Sequence, residues 1–216
     1  MWRTMTKGEV SLADPAGRTR RRVLVLLAAL ASAQTAWGRE DKRLTASEVI
    51  VKGWPPRELV RALRRGWPDE TNADGDTAIH LAAVASNPAY LEILLTYGMS
   101  PNTPNSLTGR TPLVSAMMAE RSVQFERLLA AGADPGRPDR TGNTPLHVAA
   151  QINDAGLALK LLEAGAPPGA RNAQGRTFQA YMDITPERRL SKRERRARER
   201  LNDYLRRQGS SPRADR

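Results

Sequence analysis

The side chains that could carry acid–base chemistry or bind a metal ion are few in this 216-residue sequence. There are two histidines, His80 and His147, and no cysteine. Asp74 and Asp76 form the one close carboxylate pair in a predicted turn, and no third acid lies directly beside them. Catalytic and metal sites bring several such groups together. We therefore expect no enzymatic activity, no metal ion and no cofactor.

A search for known catalytic motifs leads to the same expectation. The sequence contains no glycine-rich phosphate loop, no G-x-S-x-G nucleophile elbow, no H-E-x-x-H and no kinase signature. The lack of cysteine also excludes disulfides, thiol catalysis and cysteine-bearing zinc sites. Function must then be sought in the protein surface and in the elements that shape it.

The two histidines lie at equivalent places in a repeated motif. Residues 77–83 (TAIHLAA) align with residues 144–150 (TPLHVAA), and residues 111–116 (TPLVSA) are a third copy with valine in place of histidine. Four equivalent threonines, each two residues after a glycine, are spaced by 34, 33 and 33 residues: Thr77, Thr111, Thr144 and Thr177. A second series has nearly the same period: Gly66, Gly98, Gly132 and Gly165. Two series in one register predict a repeat architecture.

Each repeat is predicted to contain two helices. Threonine caps the start of the first helix, and proline at its first position loses no helical hydrogen bond. In the second helix, apolar residues three, four and seven positions before the glycine bury one face. These residues are Leu95, Leu94 and Leu91, then Leu129, Leu128 and Phe125, then Leu162, Leu161 and Ala158. The glycine then supplies the positive φ that ends the helix.

The 33-residue period and the core sequence Thr-Pro-Leu-His-x-Ala-Ala at 144–150 resemble the ankyrin-repeat family. The resemblance implies an all-α solenoid of about five helix-turn-helix units. It also implies that the motif histidine bonds to neighbouring backbone and ties successive repeats together.

The ends of the chain depart from the repeat pattern. We assign the segments as follows: 1–33 a signal peptide, 34–71 an N-terminal linker and capping repeat, 72–170 three ankyrin repeats, 171–209 an atypical C-terminal capping repeat, and 210–216 a disordered tail. The capping repeat is predicted to end in an elongated basic helix that opens at Thr185 and runs to about Gln208. Terminal repeats are atypical because one of their faces meets water.

The first 33 residues have the layout of an export signal. A basic cluster that ends at Arg22 precedes an apolar run over residues 23–33, and Ala31-Ser32-Ala33 fits a cleavage site. We expect cleavage after Ala33 and a periplasmic or secreted protein. An uncleaved anchor and a cytosolic N-terminal helix are the alternatives. The export route stays open, because residues 19–24 fit the twin-arginine pattern only loosely.

The net charge of +11 is unevenly distributed. Residues 1–33 carry +4, residues 34–185 are neutral, and residues 186–216 carry +7. The basic helix is therefore either a solvated cap or a surface for an acidic protein or anionic lipid headgroups, with weak membrane contact through Arg188, Arg195 and Arg196. Four-residue spacing predicts two pairs within it, Glu194 with Arg198 and Arg195 with Glu199. Nucleic acid is not expected, because interleaved aromatics and base-reading motifs are absent.

The family resemblance implies a concave binding face made by the turn tips and the first helices. The candidate protein-binding residues are Asp74, Asp76, Leu107, Arg110, Met118, Arg140, Asn143, Gln151 and Arg176. We expect a non-enzymatic, monomeric, exported protein that binds another envelope protein through this face. Similar small exported bacterial ankyrin proteins suggest two alternatives, an immunity or inhibitor protein against an exported toxin or lipase effector, and an accessory protein in oxidative-stress defence. Membrane attachment through the basic helix is a further alternative.

Overall fold

The computed structural model describes residues 45–66 and 71–209, and within these ranges it contains ten α-helices, one 3₁₀-helix and no β-strand. The predicted export signal and the predicted C-terminal tail lie outside the described residues. The helices are α1 (Ala46–Val51), α2 (Pro56–Arg64), α3 (Ala78–Val84), α4 (Ala89–Thr96), α5 (Pro112–Met118), α6 (Ser122–Ala130), α7 (Pro145–Gln151), α8 (Ala155–Glu163), α9 (Phe178–Met182) and α10 (Lys192–Arg207). The 3₁₀-helix, Glu187–Arg189, lies between α9 and α10.

The ten helices form five consecutive pairs stacked side by side. The odd-numbered inner helices form one row, in which α1 packs on α3, α3 on α5, α5 on α7 and α7 on α9. The outer helices pack behind them, with α2 against α4 and α8 against α10. We call α3–α4, α5–α6 and α7–α8 the first, second and third repeats. This arrangement confirms the predicted all-α ankyrin solenoid.

The core follows the apolar positions that the sequence pattern assigned to the helices. Leu91, Leu94, Phe125, Leu128 and Leu161 are all buried in the outer helices. On the inner helices, buried alanines such as those at positions 82, 116 and 149 let adjacent repeats approach closely. The solenoid therefore depends on contacts between neighbouring repeats rather than on one central core.

The N-terminal pair closes one end of the stack. Thr45 and Glu48 form a capping box at the start of α1, as the sequence predicts. Val49 and Ile50 are buried against the first repeat. The Tyr90 hydroxyl of α4 donates a hydrogen bond to the carbonyl of Trp54, which fixes the loop between α1 and α2.

The C-terminal pair differs from the prediction. The basic helix α10 begins at Lys192, not at Thr185. Ser191 and Glu194 form a capping box that sets this start, and the preceding Leu190 is buried on extended backbone. Leu201 and Leu205 bury the inward side of α10.

The arginines expected to pair within α10 make other bonds. Arg195 donates to the Leu190 carbonyl at 3.0 Å. Arg198 donates to the Thr185 carbonyl at 2.8 Å and to Asn153 Oδ1 at 2.7 Å. Both guanidiniums thus hold the irregular segment before α10 in place. Among the described residues, no helix is both long enough and apolar enough to cross a bilayer.

Candidate protein-binding face

A tight hairpin tip precedes each inner helix from α3 onward. Each tip begins with an Asn or Asp whose Oδ1 accepts two backbone amides within the tip, which forms an Asx turn. These residues are Asn72, Asn105, Asp139 and Asn172. The tip residues up to the capping threonine are 72–76, 105–110, 139–143 and 172–176, and we call them the first to fourth tips. The second tip is one residue longer than the other three.

Neighbouring tips are joined by a row of backbone hydrogen bonds. Ser106 N–H donates to the Gly75 carbonyl at 2.9 Å, and the amides of Arg140 and Ala173 donate to the tips before them at 2.9 and 3.0 Å. The contact is close enough that a Cβ on Gly142 would lie 2.8 Å from the backbone nitrogen of Ala173. The tips therefore form one continuous, ordered surface.

From the second tip onward, the first residue of the tip also links neighbouring tips through its side chain. The Asn105 amide donates to the Asp74 carbonyl and to Asp76 Oδ1. The Asn172 amide donates to Asn143 Oδ1 and to the Tyr181 hydroxyl. Asp139 has no amide group, and in its place Oδ2 lies 3.6 Å from Arg110 Nε.

The two motif histidines connect the inner helices α3 and α7 to the tip that follows each of them. Nδ1 of His147 accepts the Thr144 amide N–H at 3.1 Å, so the proton lies on Nε2, which donates to the Arg176 carbonyl at 2.9 Å. His80 bonds in the same way to Thr77 and to the Arg110 carbonyl, at 3.3 and 3.1 Å. The prediction that these histidines tie repeats together is confirmed. Burial lowers the pKa of His147, and its bond to Arg176 only partly opposes this effect.

The second repeat lacks this connection. Val114 replaces the histidine, and the hydroxyl of Thr111 is buried with no hydrogen-bond partner. Thr77 and Thr144 instead place their hydroxyls 2.9 Å from the histidine Nδ1. The join between the second and third repeats therefore lacks the histidine link that the joins on either side of it have.

Three of the sequence-predicted binding residues line one cleft of about 350 Å³ on the concave side. They are Asp76, Arg110 and Met118. Arg110 donates to Met118 Sδ at 3.2 Å, while its Nε faces Asp139. Met118 is 53% exposed. The cleft thus combines an exposed thioether with a carboxylate and a guanidinium. It is also lined by Val84, Asn105, Thr108, Ser115 and Ala119.

The other predicted residues lie on the tips or at the ends of the inner helices. Arg140 donates to the Ser106 carbonyl at 2.5 Å and so supports the second tip. Asn143 belongs to the network between the third and fourth tips. The side chains of Asp74, Leu107, Gln151 and Arg176 are exposed. Leu107 is 58% exposed although it covers Gly75.

Sequence reasoning named only two members, Met118 and Gln151, of an exposed row of four residues on the concave side. The residue seven positions after each capping threonine is exposed in all four copies, and three of the four are apolar. The row consists of Val84, Met118, Gln151 and Ile184. The 33-residue period places these four residues at equivalent positions and could have identified the row. Helical periodicity by itself assigns apolar residues such as Val84 and Ile184 to the core.

The described residues contain no group of three or more His, Cys, Asp and Glu side chains that could hold a metal ion. The chemistry available on the concave side is recognition, through apolar contact flanked by charge. Such a surface suits binding to another protein.

Comparisons with known proteins agree with the geometry. Sequence profiles described as ankyrin repeats match residues 51–139 and 128–177, which together cover more than half of the chain. Protein PhlB of Serratia liquefaciens is 36% identical over 103 residues, which cover 47% of this chain and 45% of PhlB. The chain thus matches less than half the length of that relative. With the stacked helix pairs and the histidine links, these matches show that the chain belongs to the ankyrin-repeat family, whose repeats are protein–protein interaction modules.

Proposed function

We propose that this protein is an exported, non-enzymatic and monomeric binding module that holds another protein of the cell envelope on its concave face. The observation that carries the proposal is the cleft around Met118. Its exposed thioether can adapt to a partner side chain, and Asp76 and Arg110 add opposite charges to the same cleft.

The surface around this cleft is held in place before any partner arrives. Arg110 is in contact with both Met118 and Asp139, and the tips are joined by backbone hydrogen bonds. A preformed surface loses little conformational entropy on binding. The exposed row Val84–Met118–Gln151–Ile184 extends the apolar contact beyond the cleft.

Export is supported by the N-terminal sequence. The basic cluster, the apolar run over 23–33 and Ala31-Ser32-Ala33 have the order of a cleavable signal. N-terminal sequencing of the mature protein from fractionated cells tests this part of the proposal. We expect the periplasmic or secreted fraction to contain a chain that starts at Gln34, and a chain that starts upstream in the cytosolic fraction would contradict it.

A photo-crosslinking experiment tests the binding face. A benzophenone side chain is placed at Met118 in one variant and at Tyr97, which is 45% exposed at the end of the outer helix α4, in a matched variant. We expect one envelope protein to crosslink to position 118 and not to position 97. Equal labelling from both positions, or labelling from position 97 alone, would overturn the assignment to the concave face.

The captured protein then allows an affinity measurement. Met118→Asp should weaken its binding at least about tenfold, because the change places an unpaired charge in the contact. Tyr97→Asp is the control and should leave the affinity unchanged. Both side chains are exposed, so neither change should alter the fold.

A narrower form of the proposal is inhibition of an exported toxin or lipase. It is favoured by Leu107, an exposed apolar side chain on the longer second tip. Such a residue suits insertion into a crevice of an enzyme. The crosslinked partner decides this point, because inhibition requires that the partner be an enzyme whose turnover falls when one equivalent of the chain is added.

A further inference from the structure

We propose that one edge of α10 is a docking surface for anionic lipid headgroups. The edge consists of Arg193, Arg196, Arg200 and Arg207, and we call it the arginine row. All four side chains are exposed. This inference does not depend on the concave face or on what that face binds.

The structure separates the arginines of α10 that stabilise the fold from those that remain available. Arg195 and Arg198 bond to the segment before the helix, and Arg206 pairs with Asp203 at 3.1 Å. The members of the arginine row form none of the hydrogen bonds or ion pairs seen among the described residues. Of the three arginines that the sequence suggested for membrane contact, Arg196 belongs to the row, Arg188 is exposed on the 3₁₀-helix, and Arg195 is engaged.

Helical geometry places the row on one straight edge. Spacings of three, four and seven residues return to nearly the same side of an α-helix. At 1.5 Å per residue, the row extends over roughly 21 Å. Leu201 and Leu205 lie on the buried side of the helix, and the row runs along an exposed edge beside that side.

The apolar residues of α10 are already used in packing. Leu201, Leu205, Ala197 and Tyr204 all contact the core, and the Tyr204 hydroxyl donates to the Leu162 carbonyl. The exposed edge therefore has nothing to insert into the hydrocarbon region of a bilayer. Its attachment would be purely electrostatic and reversible.

An anionic bilayer fits this edge better than a protein pocket does. A charged lipid surface attracts each nearby arginine by a similar amount, whatever its exact position. A protein partner would need carboxylates placed to match four side chains spread along one helix. The edge lacks the apolar anchor that usually forms the centre of a protein interface.

The position of the row also sets an orientation. Arg193 and Arg200 line a groove of about 660 Å³ together with Glu120–Ser122 and Ile152–Leu157. These two segments lie where an inner helix ends and an outer helix begins, at the opposite end of the inner helices from the tips. Of the three acids in this groove, Asp154 caps α8 and Glu194 caps α10, and Glu120 is exposed. With the row on a membrane, the four tips would face away from the lipid and stay open to a protein partner.

Vesicle sedimentation of the full chain tests the proposal. The probes are vesicles of phosphatidylcholine alone and of an equal mixture of phosphatidylcholine and phosphatidylglycerol. We expect preferential binding to the mixed vesicles, and we expect this preference to fall steeply between about 0.05 M and about 0.3 M NaCl. Replacing the four row arginines with glutamine should lower affinity for the mixed vesicles by about fivefold for each charge removed.

Two matched variants make the result specific. Removing four arginines at the other end of the stack, by Arg57→Gln, Arg61→Gln, Arg64→Gln and Arg65→Gln, should change vesicle affinity far less. Changing the row to four lysines should keep most of it, because the lipid field acts on charge and not on guanidinium geometry. Thermal unfolding confirms that each variant is folded.

Three outcomes would overturn the proposal. The first is equal binding to neutral and mixed vesicles. The second is equal affinity for the row variant and the control variant. The third is loss of vesicle binding in the lysine variant, which would show that guanidinium geometry rather than charge alone is required.

Discussion

The threonine and histidine of the repeat motif act as one unit. In the first and third repeats, the histidine accepts from the threonine at one ring nitrogen and donates to the next tip at the other. In the second repeat, Val114 leaves the Thr111 hydroxyl buried and unpartnered. A buried hydroxyl without a partner contributes nothing to stability and costs its desolvation.

This contrast predicts different effects for one substitution at two equivalent sites. Thr144→Val should lower the free energy of unfolding by about 1–2 kcal/mol, because it removes the hydroxyl that contacts His147. Thr111→Val should be close to neutral or slightly stabilising, because its hydroxyl has no partner to lose. Urea unfolding of the two variants measures both values. Equal losses would contradict this account.

The buried His147 predicts a dependence of stability on pH. Its pKa lies below the ordinary value of 6.5 because of burial, so the unfolded chain takes up a proton more readily than the native one. The stabilisation is complete above the unfolded-state pKa and is lost as the pH falls from there through the lower native pKa. We expect the free energy of unfolding to fall as the pH drops through 6.5 and below.

The variant His147→Gln isolates this contribution. It should be less stable than wild type near neutral pH, since the link to Arg176 is weakened. It should also show a shallower loss of stability on acidification. Chemical unfolding at a series of pH values measures the slope, and an unchanged slope would assign the pH dependence to other groups.

At the scale of elements, the tips show how a short turn joins separate repeats. An Asx side chain shapes each tip from within, and one backbone hydrogen bond ties it to the tip before it. Glycine at the fourth position of the third tip serves two purposes. Gly142 adopts a φ of 77°, and its missing Cβ leaves room for the backbone of Ala173.

A pair of glycine substitutions separates these two purposes. Gly175 has a φ of 71° and open space around it, so Gly175→Ala should cost only about 1 kcal/mol of backbone strain. Gly142→Ala should cost clearly more, because the added methyl would also collide with a neighbouring backbone. Thermal unfolding under identical conditions compares the two variants. Similar midpoints of thermal unfolding for the two variants would mean that the fourth tip moves to accept the added methyl without a loss of stability.

The helices that belong to the 33-residue repeat could be predicted from the sequence. The start of the C-terminal helix α10, which lies outside the repeat pattern, was predicted wrongly. Thr185-Pro186-Glu187 and Ser191-x-x-Glu194 are both good helix starts. The choice between them depends on burial of Leu190 and on the bonds that Arg195 and Arg198 make, none of which has a local signature. The concave candidates were predicted only in part, because Val84 and Ile184 look like core residues until the stack exposes them.

At the scale of the whole molecule, the positive charge is separated from the cleft around Met118. Residues 34–185 carry no net charge, and the excess positive charge of the C-terminal segment is concentrated on α10. The concave cleft on one side and the arginine row near the base on another are formed by different elements. On our two proposals, one chain would hold a protein and a charged surface at the same time.

Val114 has a consequence for the cooperativity of the stack. In a solenoid, stability is close to a sum of terms between nearest neighbours, so a weaker term marks a seam at which the array separates into shorter cooperative blocks. The seam between the second and third repeats runs between Met118 and Gln151, within the exposed row of the concave side. A partner that spans these two residues would bridge the seam, so binding would make the two halves of the solenoid behave as one cooperative unit.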